Sequence, residues 1–214
     1  MKTKLFLSTV VCLSLASVAF ANYSDLDLCI RKIKAESYTE AVLYCEKACN
    51  LNDSYGCFNL GNSYYYGQGV RQDYSKANAL FEKACNLNNS RGCFNLGNSY
   101  YKGQGVRQDY GKARTYCEKA CNLNYTSGCF NLGVLYVNGQ GVRQDYSKAA
   151  TYFEKACNLV PNDSKGCFNL GVLHEKGQGV RQNKKTAKEH FGKACDLGDQ
   201  WGCDKYRELN EQGY

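Results

Sequence analysis

The sequence has few histidines: only His174 and His190 occur among its 214 residues. Structural zinc sites use closely spaced cysteine pairs with histidines nearby, and catalytic zinc sites take most of their ligands from histidine and carboxylate side chains. Two histidines cannot supply the ligands of a catalytic zinc site, and the paired cysteines here are separated by seven residues, or nine in one pair, too many for the close pairs of a structural site. We therefore predict no metal and no cofactor, and the fourteen cysteines require another explanation.

The sequence also lacks a dense basic block and, beyond its first residues, a long apolar run. A net charge of +7 spread over the chain predicts that nucleic acid is not a partner. The apolar run Leu5 to Phe20 follows Lys2 and Lys4 and is shorter than the roughly 20 residues of a membrane span. We predict a signal peptide over 1–21, cleaved after Ala21. An uncleaved anchor is the alternative; with cleavage, the protein is secreted or periplasmic without stable membrane insertion.

Most of the cysteines form pairs at a regular spacing. The leading cysteine recurs every 36 residues and finally after 38, and such a period is the signature of a stacked repeat array. In an oxidising compartment, cysteine pairs at fixed spacing form a disulfide framework. The predicted bonds are Cys49–Cys57, Cys85–Cys93, Cys121–Cys129, Cys157–Cys167 and Cys195–Cys203.

Residues 53–85 show the organisation of one repeat. Asp53 or Ser54 can cap a helix whose apolar and small residues recur at helical spacing. Gly67-Gln68-Gly69 ends this helix, because glycine readily adopts the left-handed conformation found at helix ends. Asp73 can cap a second helix that closes at Cys85. Each repeat is therefore predicted to be an antiparallel helix pair, and each disulfide ties one pair to the next.

These patterns predict an all-α protein, a right-handed α-solenoid of antiparallel helix pairs stiffened by disulfides. We expect a single domain over 22–214. Its five repeats are predicted at 24–49, 54–85, 90–121, 126–157 and 164–195, followed by a capping helix at 200–212. The only proline, Pro161, lies inside the one widened cysteine pair and predicts a longer turn there.

Three cysteines of the mature chain stand outside the five pairs. Cys45 and Cys117 fall on the buried side of second helices. In the other repeats this slot holds Phe81, Phe153 and Phe191. Cys29 can reach Cys45 across the first helix pair, which would make a sixth bond and leave Cys117 as an inert buried thiol. Without that bond, three thiols remain.

The run GCFNLGNSYYYGQGVRQDYSKANALFEKAC, residues 56–85, resembles the Sel-one-like repeat, a relative of the tetratricopeptide repeat with a longer loop. The resemblance extends over nearly all of residues 24–212. It rests on Leu60-Gly61, Tyr64, Gly67 to Val70, Asp73, Lys76-Ala77 and Lys83-Ala84. Together with the cysteine pairs and the signal peptide, it is similar to the secreted cysteine-rich branch called Hcp proteins. The resemblance implies either a binding scaffold or a β-lactamase or penicillin-binding protein.

The residues give little support to the enzyme. A serine β-lactamase carries the local motifs S-x-x-K, S-D-N and K-T-G. Only the first is present, from Ser99 to Lys102, and leucine stands at the equivalent of Ser99 in two later repeats, Leu135 and Leu173. No catalytic residue can be assigned. Binding or hydrolysis of β-lactams is the alternative function, and it rests on the resemblance alone.

A binding groove requires fewer specific side chains than a catalytic site does. In the related tetratricopeptide arrays, first helices line a concave side, and an asparagine directly after the helix glycine can hold a peptide backbone or a carboxylate. The resemblance thus implies binding of an extended peptide, a protein or a peptidoglycan fragment. Tyrosine suits such recognition, since it combines apolar area with a hydroxyl group. The predicted groove residues are Asn62, Asn98, Tyr65, Tyr66, Tyr101, Lys102, Arg91 and Phe94.

Two recurring positions of the first helices are instead assigned to the structure. One set is core-facing and consists of Tyr64, Tyr100, Tyr136 and His174. The other recurs in every long repeat and consists of Asn59, Asn95, Asn131 and Asn169.

Overall fold

The structure is a computed structural model that describes residues 25–159 and 164–214. Within these residues the protein is helical and contains no strand, which confirms the all-α prediction. The helices are α1 (25–34), α2 (Tyr38–Asn50), α3 (Ser54–Tyr66), α4 (Tyr74–Asn86), α5 (Ser90–Lys102), α6 (Tyr110–Asn122), α7 (Thr126–Asn138), α8 (Tyr146–Leu159), α9 (Ser164–Lys176), α10 (Lys184–Asp196) and α11 (Gln200–Glu211). The predicted signal peptide and the turn at Pro161 lie outside the described residues.

The chain divides into two compact units, Met1–Gly92 and Cys93–Tyr214. In unit 1, α2 packs against α3 and α3 against α4. In unit 2, each helix from α6 to α11 packs against the next helix along the chain. Packing of helices on their chain neighbours is the arrangement of an α-solenoid. Among the described residues, no helix combines the length and apolarity needed to cross a membrane.

Helix ends are set by polar caps and by glycine. The Asp53 carboxylate accepts hydrogen bonds from the backbone N–H groups of Tyr55 and Gly56, at 2.9 and 2.8 Å, and so starts α3. Asp73, at the start of α4, likewise accepts from the Lys76 N–H at 3.0 Å. The equivalent caps are Asp109 for α6, Asp145 for α8 and Asn183 for α10.

Disulfides staple consecutive helices within each unit. In unit 1 they are Cys29–Cys45 between α1 and α2 and Cys49–Cys57 between α2 and α3. In unit 2 they are Cys121–Cys129 between α6 and α7, Cys157–Cys167 between α8 and α9 and Cys195–Cys203 between α10 and α11. Cys85 and Cys93 are also disulfide-bonded. Cys117 is a buried free thiol. The framework includes the sixth bond at Cys29.

In three of the long loops, the second glycine lies against the preceding helix pair. Gly141 has a φ of 68°, and a Cβ there would overlap the Tyr110 carbonyl group at the start of α6 and lie 2.7 Å from the Gly111 nitrogen. The same approach recurs in two other loops, Gly69 against Tyr38 and Gly179 against Tyr146. Glycine is required here because the two backbones leave no room for a side chain.

Stacked aromatic rings join the two helices of each pair in unit 2. Two of these stacks are Tyr100–Tyr116 and Tyr136–Tyr152, with ring centroids 5.7 and 5.5 Å apart. In the last pair, His174 stacks on His190 at 5.4 Å. Among the described residues, the buried Nδ1 atoms of these histidines have no hydrogen-bond partner. Burial, followed by the charges of His174 and Lys193, lowers the pKa of His190 to about 4, although Glu189 acts in the opposite direction.

Replacing both histidines by tyrosine is expected to remove an acid-sensitive part of the stability. Between pH 6.5 and about 4, the lowered pKa keeps His190 neutral in the folded state, whereas the same imidazole binds a proton in the unfolded chain. The folded state therefore loses stability as the pH falls from 6.5 to about 4. Because the ring is partly exposed, we expect a loss of only about 1 kcal/mol. Urea unfolding at pH 7 and pH 4 measures it. An equal pH-dependent loss in His174→Tyr/His190→Tyr and in the wild type would contradict this assignment.

Candidate functional site

A pocket of about 350 Å³ opens between α5 and α7, the first helices of two successive repeats in unit 2. The second helix α6 contributes one residue to its lining. The lining residues are Phe94, Asn98, Tyr101, Lys102, Cys117, Phe130, Asn131, Val134 and Leu135. Ligand pockets range from about 300 to 1,000 Å³, so this one has the size for a small group such as a side chain.

The inner end of the pocket is apolar. Cys117 and Leu135 are almost fully buried, with 2% and 1% of their surfaces exposed. Burial raises the pKa of the Cys117 thiol to about 12, so this group is protonated and uncharged at neutral pH. The half-buried ring of Phe94 lies 5.1 Å from the ring of Tyr125, between centroids. The inner end therefore suits an apolar group that is removed from water.

The outer end of the pocket is polar and carries positive charge. The Asn131 side-chain amide donates a hydrogen bond to Oδ1 of Asn98 at 2.9 Å and so connects α7 to α5. Lys102 is exposed at the end of α5, and Lys165 Nζ lies 6.0 Å from the centroid of the Phe130 ring. None of the lining residues carries a carboxylate. The mouth therefore favours an anionic group.

Helical spacing explains how these side chains converge. Phe94, Asn98 and Tyr101 follow one another at i, i+4 and i+7 and so share one face of α5. Phe130 and Val134 share a face of α7 in the same way. The Tyr101 hydroxyl donates to the side-chain oxygen of Gln140 at 3.3 Å, which ties α5 to the loop after α7.

The pocket brings together half of the predicted groove residues. Four line it: Phe94, Asn98, Tyr101 and Lys102. The other four lie in unit 1: Asn62, Tyr65, Tyr66 and Arg91. In that unit Tyr65 packs edge-on against the Tyr74 ring at 5.0 Å and lies 6.2 Å from Phe81, whereas Tyr66 is 64% exposed. Tyr65 thus contributes to packing between α3 and α4.

Five of the lining residues lie outside the set of eight predicted groove residues: Cys117, Phe130, Asn131, Val134 and Leu135. Asn131 was assigned to the structure because it recurs, yet its amide lies at the mouth of the pocket. One signal was available. Cys117 is a small residue in a slot that phenylalanine fills elsewhere, and such a change of size marks a place where space can open.

The S-x-x-K motif does not build a site. Ser99 is 1% exposed and its hydroxyl has no hydrogen-bond partner among the described residues, whereas Lys102 is exposed. Only Lys102 lines the pocket. Over residues 25–159 and 164–214, no group of three or more His, Cys, Asp or Glu side chains is placed to hold a metal ion.

The chain is similar to several known proteins. Over 42 residues, which are 20% of this chain and 14% of the relative, it is 50% identical to HcpC of Helicobacter pylori, whose name marks a β-lactamase activity as unproven. It is also similar to the solved structure of cysteine rich protein B of Helicobacter pylori, with 41% identity, a TM-score of 0.50 and coverage of 62% of this chain and 94% of that one.

A second solved structure extends the fold similarity over most of the chain. It is c5321, a protective antigen of uropathogenic Escherichia coli with an SLR fold, at 26% identity and a TM-score of 0.85. The match covers 90% of this chain and 42% of that one, so the chain spans less than half of c5321, as it does of HcpC. The Sel1 repeat model matches five segments: 32–53, 54–89, 90–125, 126–160 and 164–199. Because these segments make up well over half of the sequence, the chain belongs to the Sel1 repeat family.

Proposed function

We propose that this chain is an exported interaction scaffold that binds an extended peptide segment of a partner protein on the first helices of unit 2. The repeat fold supports a binding role, since Sel1 repeat scaffolds are typical of protein–protein interaction. The observation that carries the proposal is the pocket between α5 and α7, because it is apolar inside, polar at its mouth and open to a chain lying across both helices.

The asparagine pair can hold the backbone of such a peptide. The hydrogen bond between the Asn131 amide and Oδ1 of Asn98 uses one donor and one acceptor. The amide donors of Asn98 and the amide oxygen of Asn131 then remain for a peptide C=O and N–H. Backbone contacts of this kind give affinity that does not depend on sequence, and the pocket adds preference for a side chain.

Export is supported by the chemistry of the cysteines. Structural disulfides form and persist in oxidising compartments such as the periplasm or the extracellular space. The bonds occur in both units, and the sequence starts with a predicted signal peptide. The proposal therefore places the partner outside the cytoplasm, either in the periplasm or beyond the cell.

Replacing Asn98 by alanine is expected to weaken peptide binding about tenfold and to lower the melting temperature by only a few degrees, since the hydrogen bond from Asn131 is lost as well. The variant removes a rim amide that can contact the peptide backbone, and such a contact contributes about 1 kcal/mol or slightly more. Peptides selected from a random library on the wild-type protein serve as probes, and fluorescence anisotropy gives their Kd. The matched control is Asn122→Ala, an exposed asparagine of the same unit outside the pocket.

Three results would contradict this function. Equal affinity of the selected peptides for Asn98→Ala and for the wild type would remove the pocket mouth from the binding site. Turnover of the β-lactam nitrocefin well above background, if Ser99→Ala abolishes it, would favour a β-lactamase function over the peptide scaffold. Binding of soluble peptidoglycan fragments in preference to any peptide would replace the protein partner by the cell wall.

A further inference from the structure

We infer that the pocket is a specificity pocket for one aromatic or large aliphatic side chain of an acidic partner segment, and that it exists because Cys117 replaces a phenylalanine. This inference rests on the proposed function and specifies what the partner must present. It concerns α5, α6 and α7 of unit 2.

The other helix pairs show what fills this place. In the pair α7–α8, a Cβ on Gly133 would lie 2.6 Å from Cε1 of Phe153, so the ring lies directly on the glycine backbone. Phe153 is 1% exposed, and its ring centroid is 5.8 Å from that of Phe130. The same arrangement occurs in α9–α10, where Phe191 packs on Gly171 and lies 5.5 Å from Phe168. A pair of phenylalanines thus closes the space between the two helices.

The pair α5–α6 has only one of these two rings. Its glycine, Gly97, faces the Cys117 sulfur, which would lie 3.1 Å from a Cβ at that position. Phe94, the equivalent of Phe130, has no ring opposite it on α6 and packs against Tyr125 instead. The thiol occupies much less volume than a phenyl ring, and the volume not filled by a side chain of α6 forms the inner end of the pocket.

An incoming side chain can therefore take the place of the missing phenylalanine. An apolar ring is the group that this slot accommodates in the neighbouring pairs, and its burial against Cys117 and Leu135 removes apolar surface from water. A pocket of about 350 Å³ accepts one such side chain. The exposed ammonium group of Lys102 and the absence of lining carboxylates favour a partner with acidic residues beside the ring.

Small probes test the pocket independently of any selected peptide. N-acetyl-phenylalanine carries an aromatic ring next to a carboxylate, N-acetyl-phenylalanine amide lacks the charge, and N-acetylalanine lacks the ring. We expect N-acetyl-phenylalanine to shift the methyl NMR signals of Val134 and Leu135 saturably, with Kd on the order of millimolar. The amide should bind several-fold more weakly, and N-acetylalanine should leave the signals unchanged.

Two substitutions at Cys117 separate the cavity from the thiol. Cys117→Phe restores the residue of the neighbouring pairs and should weaken N-acetyl-phenylalanine at least tenfold, while the melting temperature does not fall. Cys117→Ala keeps the cavity and should bind the probe as the wild type does. If Cys117→Phe does not fold, Val134→Phe fills the pocket from its half-exposed wall and should have the same effect.

The outcomes distinguish the specificity pocket from the proposed peptide-binding function. Unchanged probe binding in Cys117→Phe would overturn the specificity pocket, while selected peptides that still depend on Asn98 would leave the proposed function standing. Probe binding that is lost in Cys117→Phe, without any peptide binding to the wild type, would support the pocket and contradict the peptide scaffold. Equal affinity for the acid and its amide would overturn the acidic partner.

Discussion

Gly141→Ala is expected to destabilise unit 2 by about 3–5 kcal/mol, far more than alanine at the neighbouring Gly139. Both glycines have positive φ, 68° and 65°, so both variants carry the cost of a left-handed alanine, about 1–2 kcal/mol. Only Gly141 also lies on the backbone of another helix pair. Its new methyl group would overlap the Tyr110 carbonyl, and a backbone carbonyl cannot move aside by a change of rotamer.

Gly139→Ala is the matched control. A Cβ at Gly139 would lie 3.3 Å from the Gln144 nitrogen of its own loop, which is tight but can relax locally. Urea unfolding followed by circular dichroism gives the free energy of unfolding for both variants. Losses of the same size would mean that the positive φ alone requires these glycines, and that the loop does not act as a contact between helix pairs.

Much of the fold follows from local patterns that the sequence displays openly. Asp73 and Gly67 mark the start and end of helices by hydrogen bonding and by left-handed backbone geometry, and these effects depend only on neighbouring residues. The Cys49–Cys57 bond is equally local, since the short turn between α2 and α3 brings the two residues together. Because the same residues recur in successive repeats, each local pattern predicts the equivalent helix end or disulfide in the other repeats.

Contacts between helix pairs were harder to predict. The two glycines of the long loop look alike in the sequence, yet Gly139 ends a helix and Gly141 meets Tyr110, a residue 31 positions earlier. Cys117 poses the same problem. Its small size is visible, but the direction in which the space opens depends on the Phe94 ring, which packs towards Tyr125. Such choices are made by tertiary packing, which a single sequence does not specify.

Reduction of the disulfides is expected to unfold the protein at 37 °C. Four of the bridges close loops of 8 to 10 residues, and Cys29–Cys45 closes one of 16. In the chain-entropy view, each contributes about 2–3 kcal/mol. Together these five reach about 10–15 kcal/mol, as much as the whole free energy of unfolding of a typical domain. Thermal melts followed by circular dichroism, with and without a phosphine reductant, measure the effect.

Removal of one bridge separates this entropic contribution from a general effect of the reductant. Cys195→Ala/Cys203→Ala removes only the disulfide between α10 and α11. Under oxidising conditions it should lower the free energy of unfolding by about 2–3 kcal/mol, the contribution of one bridge. If the fully reduced protein instead melts within a few degrees of the oxidised one, packing between helices suffices and the bridges are dispensable. A reduced chain that does not fold ties the protein to an oxidising compartment, because only there can the helix pairs hold the pocket in place.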